Sequence, residues 1–457
     1  MLTHTRTLAL HTEAIFQKDL CRQWHRICFV YSSQSLASTG LTDVGIAMNS
    51  PAPQLNPDSH VPHLHGLANL MARVYHGEDL TDLGLDFIDR GGKGDAQALI
   101  DLSVLLQLRG QQDTGIAVQQ QALEIRQHYC LEPTVKRDTV RLLAIVAPGN
   151  LMTNTPLEFI SEGAGFSMQL LYVDPALPFP EELPDHDIAI VALSELDRNL
   201  GTLDYIQSWI DLWPRPVLNQ PAPISVLGRD LICHQLQQLP HIEMPITIRV
   251  SREELKNVAN GNPPLQELIV DGDMPVIIRP VDSHAGQGLE KLDKADDLLD
   301  YLQRYSDAEF FVSRYVDYRS SDGQFRKYRV VMIDGQPELA HMAVSDHWMV
   351  HYGNAGMEQS AAKRFEEAGA MGNFRQGFAK RHAAAIKTLH ETVGLDYFGM
   401  DCSETRDGKL LIFEVGASLN IHAMDDTKLY PYKRPQMQRI FNNFLTMLQE
   451  KAQPSGE

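Results

Sequence analysis

Cysteine is scarce in this 457-residue chain: five in all, at Cys21, Cys28, Cys130, Cys233 and Cys402. Their number is odd, they are scattered, and no C-x-x-C pair occurs. That argues against a disulfide framework or a zinc ribbon and points to a reducing compartment. Basic residues are also short, 40 Lys and Arg against 59 Asp and Glu, for a net charge of −19. Phosphate contacts need clustered cations, so a general nucleic-acid or anionic-membrane binder is excluded, though one local cationic pocket is not. No apolar run is long enough to span a bilayer. The opening MLTHTRTLALHTEAIF, with His11 and Glu13, makes a poor signal peptide, so a cytoplasmic protein is expected. What is present is core: 43% hydrophobic and 22% charged residues describe a globular chain. Its length suggests about three domains.

Residues 1–60 alternate helical and strand-like patches and run into the polar, proline-rich NSPAPQLNPDSHVPH, which has the composition of a linker. From 61 to 136 the pattern turns helical. Leu99, Leu102, Leu105, Leu106 and Leu108 recur at helical spacing; after a Gly-containing turn come Ile116, Ala117, Ala122, Leu123 and Ile125. Leu108-Arg109-Gly110 followed by Ala122-Leu123 resembles a degenerate tetratricopeptide unit, with a plain helical hairpin as the alternative. Such a unit buries its faces only against neighbours, so this region should pack on the rest of the chain or on a protein partner.

Residues 137–222 alternate short apolar strands, at 142–147, 168–173, 188–193 and 216–219, with helices at 156–162 and 200–213. That alternation predicts a small doubly wound α/β domain with a parallel sheet. Its ligand edge lies at the carboxyl ends of the strands, where Pro148-Gly149-Asn150 and Asn219-Gln220 fall. Residues 223–450 are mixed. Helices are expected at 226–238, 252–259, 295–305, 378–393 and 436–449, with hairpins turning on Asp334-Gly335 and Asp407-Gly408.

The chemistry centres on MPVIIRPVDSHAGQGL, residues 274–289. The β-branched run Val276-Ile277-Ile278 reads as a buried strand, Arg279 ends it with a cation, and Ser283, His284, Ala285, Gly286, Gln287 and Gly288 form a small loop. Bare backbone amides beside a cation suit a polyphosphate; an ordinary glycine turn is the alternative. Asp401 and Glu414 lie on the two arms of the last hairpin. Neighbouring carboxylates there need a cation, and oxygen ligands suit Mg²⁺; two surface acids are the alternative. His341, His347 and His351 fall in a stretch dense in His and aromatics, and His422 lies just beyond the hairpin.

In order, Arg229, Arg279 with its glycine loop, the hinge Arg314-Tyr315-Val316-Asp317, Arg329 and the pair Asp401/Glu414 resemble the ATP-grasp superfamily, closest to its glutathione-synthetase and ribosomal-protein glutamate-ligase branch. The resemblance spans residues 142–449, about two thirds of the chain. Behind the N-terminal helical region, it implies a small parallel α/β (pre-ATP-grasp) domain and a two-subdomain ATP-grasp fold. The implied function is an ATP-dependent carboxylate–amine ligase working through an acyl-phosphate. Its partners would be small-molecule or peptide carboxylates and amines, and it allows a homodimer. Arg229 and Arg279 would face the phosphates of ATP under the Ser283–Gly288 loop. The backbone of Arg314 and Val316 would hold adenine, with Asp317 near the ribose. Asp401, Glu414 and Asn420 would hold Mg²⁺, Arg329 would stabilise the transferred phosphoryl group, and His341, His347, His351 and His422 would line the substrate pocket. The chain departs from the family at Arg229 and Arg279, where Lys is usual, at Gly416, where Asn is usual, and at Lys327, where an acid is common. A nucleotide sensor or scaffold without turnover, and an ATP-dependent phosphotransferase, are the alternatives.

Overall fold

The computed structural model describes residues 54–56, 63–131, 140–180, 182–269, 272–283 and 286–453. The expected N-terminal segment, except 54–56, and His284 and Ala285 of the glycine loop lie outside these residues. Strand β1 (Gln54–Asn56) pairs in parallel with β5 (Glu182–Pro184). Four helices follow: α1 (Gly66–Tyr75), α2 (Thr81–Gly91), α3 (Ala96–Leu108) and α4 (Gln112–Ile125). Asp95 caps α3 by accepting from the Ala98 amide. Leu99, Leu102, Leu105 and Leu108 are buried, as their spacing predicts. One core shared with the α/β sheet takes in Leu99, Ile100, Ala122 and Leu123, so the helices pack on the rest of the chain.

The α/β unit is a five-stranded sheet in the order β2-β4-β3-β6-β7. Strands β3 (Arg141–Val146), β4 (Ser167–Tyr172), β6 (Ile188–Val191) and β7 (Val217–Leu218) are parallel. The expected all-parallel sheet carries an antiparallel edge, because β2 (His128–Leu131), expected within the helical stretch, joins β4. Its alternate residues Tyr129 and Leu131 are buried, a period of two that four residues are too few to announce. Helices α5 (Glu158–Ala164) and α6 (Leu200–Ile210) flank the sheet.

After the short α7 (Pro221–Ser225), the helix expected at 226–238 forms as α8 (Arg229–Leu236), starting three residues late because Gly228 is its N-cap. Strands β8 (Ile242–Glu243) and β9 (Thr247–Ser251) and helices α9 (Arg252–Ala259) and α10 (Leu265–Leu268) precede β10 (Val276–Pro280), β11 (Glu290–Leu292), α11 (Asp297–Arg304) and β12 (Glu309–Arg314). A four-stranded antiparallel sheet, β11-β10-β12-β9, backs onto α9 and α11 through Val250, Leu255, Ile278, Leu298 and Phe310.

The second sheet, β14-β13-β15-β16-β8, contains β13 (Phe325–Ile333), β14 (Gln336–Ser345), β15 (Tyr397–Glu404) and β16 (Leu410–Gly416). Asp334 and Gly335 both take positive φ, 47° and 74°, the twist a two-residue type I′ hairpin requires. Helix α12 (Ala361–Asn373) packs on β14; α13 (Phe378–Arg381) and α14 (Ala383–Val393) are separated by His382, whose ring lies 2.9 Å from Glu404. The last helix, α15 (Lys433–Lys451), returns to the α/β unit. There Phe444 stacks on Phe166, and a Cβ on Gly163 would meet the Phe441 ring at 2.1 Å. The chain is thus a mixed α/β and α+β multidomain fold. Among the described residues, no helix is long and apolar enough to cross a membrane.

Candidate active site

A cleft of about 1150 Å³ opens between the four-stranded sheet and the β14-β13-β15-β16-β8 sheet and continues to the α/β unit and α1. Its floor is a row of side chains across four strands. His341 on β14 is opposite Arg329 on β13, Arg329 is opposite Asp401 on β15, and Asp401 is opposite Glu414 on β16. Directly paired residues share a face, and all four line the cleft. The register slips just after Arg329 and just after Asp401. Such bulges re-aim side chains and are common beside active sites.

Asp401 is 4% exposed and holds two cations. Arg329 donates from Nε to Oδ1 at 2.8 Å and from its terminal nitrogen to Oδ2 at 3.0 Å, and Lys327 Nζ donates to Oδ2 at 2.8 Å. Burial alone would raise this carboxyl, but the Arg329 and Lys327 charges outweigh it and hold it well below the usual carboxylate range. Glu414 pairs with Arg229, which also donates to the Phe413 carbonyl at 3.0 Å. Burial and the Asp401 charge push Glu414 up; Arg229, with Arg279 and Arg329, turns the balance downward.

From the facing sheet, Arg279 donates to the Ser283 hydroxyl at 3.0 Å and to its carbonyl. Burial and the nearby Arg229 charge lower its guanidinium to about 9, still protonated at neutral pH. Gly286 takes φ +78°, and a Cβ there would meet His351 Nε2 at 2.4 Å, so the glycine loop packs on the His351 segment. Ile277, Leu289, Phe311 and Leu411 give this end apolar walls, where Arg314, Tyr315 and Val316 also lie.

The cleft therefore brings together Arg229, Arg279, Gly286, Gln287, Arg314, Tyr315, Val316, Arg329, His341, His351, Asp401, Glu414, Asn420 and His422. Ser283, Gly288, Asp317 and His347 are outside its lining. Ser283 acts through Arg279, and the Gly288 carbonyl accepts from the Tyr301 hydroxyl at 2.7 Å. The Asp317 carboxylate holds Arg319 at 2.7 Å and Arg406 at 3.2 Å. His347 is exposed, and its ring accepts from the Met349 amide at 3.2 Å. Burial, with the Arg329 and Lys433 charges, keeps the His341 imidazole well below its ordinary range. His422 is lowered too, chiefly by burial. Of the expected ligand-edge residues, Asn150 lines the cleft. Asn219 does not: its amide clamps the Tyr397 carbonyl and amide at 2.6 and 2.9 Å, joining the α/β unit to β15.

Sequence reasoning missed Glu195. It follows β6 at the carboxyl end of the parallel sheet, the one signal that could have found it. Its Oε1 sits 2.5 Å from where a Cβ on Gly416 would be, and Oε2 accepts from the Ala417 amide at 3.1 Å. The space left by Gly416 is thus filled from another part of the chain. Burial, aided by the Glu414 charge, raises Glu195 to about 7.

The expected Mg²⁺ ligands do not fit a resident divalent ion. Both Asp401 oxygens and Glu414 are already paired with cations. Two like unit charges 4 Å apart repel by roughly 4 kcal/mol at an effective protein dielectric, and a divalent ion doubles that. The Asn420 amide is buried with neither polar atom bonded, but one neutral ligand does not complete an octahedral shell. Among the described residues, no group of three or more His, Cys, Asp or Glu is spaced to hold a metal.

No family model and no curated protein matches the chain. Solved structures are similar to it. The D-alanine–D-alanine ligase from Bacillus anthracis complexed with ATP is 15% identical, covering 68% of this chain and 96% of its own, with a TM-score of 0.39. The RimK domain protein ATP-grasp from Sphaerobacter thermophilus is 14% identical over 67% and 98%, with a TM-score of 0.39. The ATP-grasp ligase PsnB complexed with minimal precursor is 14% identical over 69% and 100%, with a TM-score of 0.42.

Proposed function

We propose that this chain is an ATP-dependent ligase of the ATP-grasp type that joins a carboxylate to an amine. One observation carries the reading. Arg229 and Arg279, 50 residues apart, meet the Arg329–Asp401–Glu414 row across a single cleft. On this reading residues 223–450 grip the nucleotide and 137–222 form the preceding α/β domain. Arg229 and Arg279 face the phosphates, and the 283–288 loop covers them. The backbone of Arg314 and Val316 holds the adenine between apolar walls. A substrate carboxylate oxygen attacks the γ-phosphorus and ADP departs. The amine then attacks the acyl carbon, inorganic phosphate leaves, and the amine proton passes to solvent.

Arg329 stabilises the charge on the transferred phosphoryl group, held to its angle by the two-point contact with Asp401. No step is assigned to a metal. The acceptor end, beyond His341, His351 and His422, runs to Met71, Tyr75, Leu151 and Phe159, a mostly apolar chamber. A small molecule or a peptide end with an apolar body suits it. The test is ADP release from ATP in the presence of panels of carboxylates and amines. The reading expects release that needs both. Release with neither points to an idle ATPase passing the phosphoryl group to water, release that needs one acceptor alone points to a phosphotransferase, and tight binding without release points to a sensor.

A further inference from the structure

We infer that Lys327, together with Arg329, takes the place of a divalent cation at Asp401, so that the cleft binds the free nucleoside triphosphate rather than its metal complex. The inference rests on the nucleotide reading above and deepens it. Lys327 and Arg329 are two positions apart on β13, so both project to the cleft face. Lys327 is 12% exposed and Asp401 4%, which puts this ammonium–carboxylate contact on the cleft floor with little water around it. Glu414, the second carboxylate of the row, is taken by Arg229. The local charge is therefore three cations on two carboxylates before Arg279 is added from the opposite wall. A bridging metal ion neutralises phosphate while being held by acids. Here fixed ammonium and guanidinium groups do that, and the acids serve to hold them in place.

Calorimetric titration of the full chain with ATP, in excess EDTA and in excess MgCl₂, tests this. The dissociation constants are expected to agree within about threefold. Lys327→Met should weaken ATP in EDTA by about tenfold. A second readout needs no nucleotide: Mn²⁺ titration followed by electron paramagnetic resonance. The unaltered chain is expected to leave Mn²⁺ free, and Lys327→Glu to bind it, because a third acid then faces Asp401 without its ammonium. Wild-type ATP affinity that falls more than about tenfold on chelation, or Mn²⁺ bound by the wild type and lost in Asp401→Asn, overturns the inference. No ATP binding in either buffer overturns the nucleotide reading itself, and this inference with it.

Discussion

Two buried acids of one sheet, Asp401 on β15 and Glu338 on β14, each hold two cations, yet they sit in opposite settings. Glu338 is fully buried; Arg375, Arg439 and Asn443 reach it from the α12–α13 connection and from α15, and none of them lines the cleft. It ties helices to the sheet. Asp401, Lys327 and Arg329 belong to strands already bound to each other by the ladder, so their pairing is not needed to hold those strands together, and all three face open space. The same chemical grouping is a clamp where its cations come from separate elements and lie outside the cleft, and a poised charge array where they share one strand and line it. Glu158 adds a third case. It accepts the Ala68 amide at 3.0 Å at the start of α1. Burial, with like charge from Glu162 and Asp101, raises it to about 8, the reverse of Asp401. Whether a buried acid meets a cation or only amides decides the sign of its shift.

The largest effect should come from breaking the clamp. Glu338→Ala strips Arg375, Arg439 and Asn443 of their shared buried acceptor and should lower unfolding free energy by roughly 3 kcal/mol in urea denaturation, with ATP affinity per folded molecule unchanged. Altered affinity at intact stability would erase the distinction drawn above. Arg329→Lys keeps the charge but loses the two-point contact. Turnover should fall about a hundredfold, with the denaturation midpoint nearly unmoved. Asp401→Asn should cut turnover by a similar factor without weakening ATP, since its cations remain; weaker ATP binding in EDTA would count against the cation array. Gly286→Ala forces φ +78° on an L-residue and presses on His351, so nucleotide affinity should drop by about tenfold.

The last expected effect is a slope rather than a step. Glu158 has a folded value near 8, above an unfolded value of about 4.3, so the folded state binds more protons between them. The Glu158 contribution to stability should therefore be fully present at or below about pH 4, decline as pH rises toward 8, and be absent above. Glu158→Gln should flatten that part of the curve; an unchanged slope assigns it to other groups.

Much of the architecture was legible from local pattern. Alternating strands and helices at 142–219 announced the α/β unit, and Asp334-Gly335 announced a hairpin, because turn geometry and apolar period are properties of a few consecutive residues. Short elements escaped for the same reason: β2 has too few residues to show a period. At the site, the order Arg229, Arg279, Arg329, Asp401, Glu414 could be read along the chain. Their ion pairing could not, and neither could the Glu195 carboxyl lodged at Gly416, 221 residues on. Residue types and periodicity set which segments become strands, helices and turns, since those preferences act over one or two turns of chain. Which acid meets which cation depends on bulges, register and the approach of distant segments, and so the charge state of the cleft, and its room for a metal, emerged only on folding.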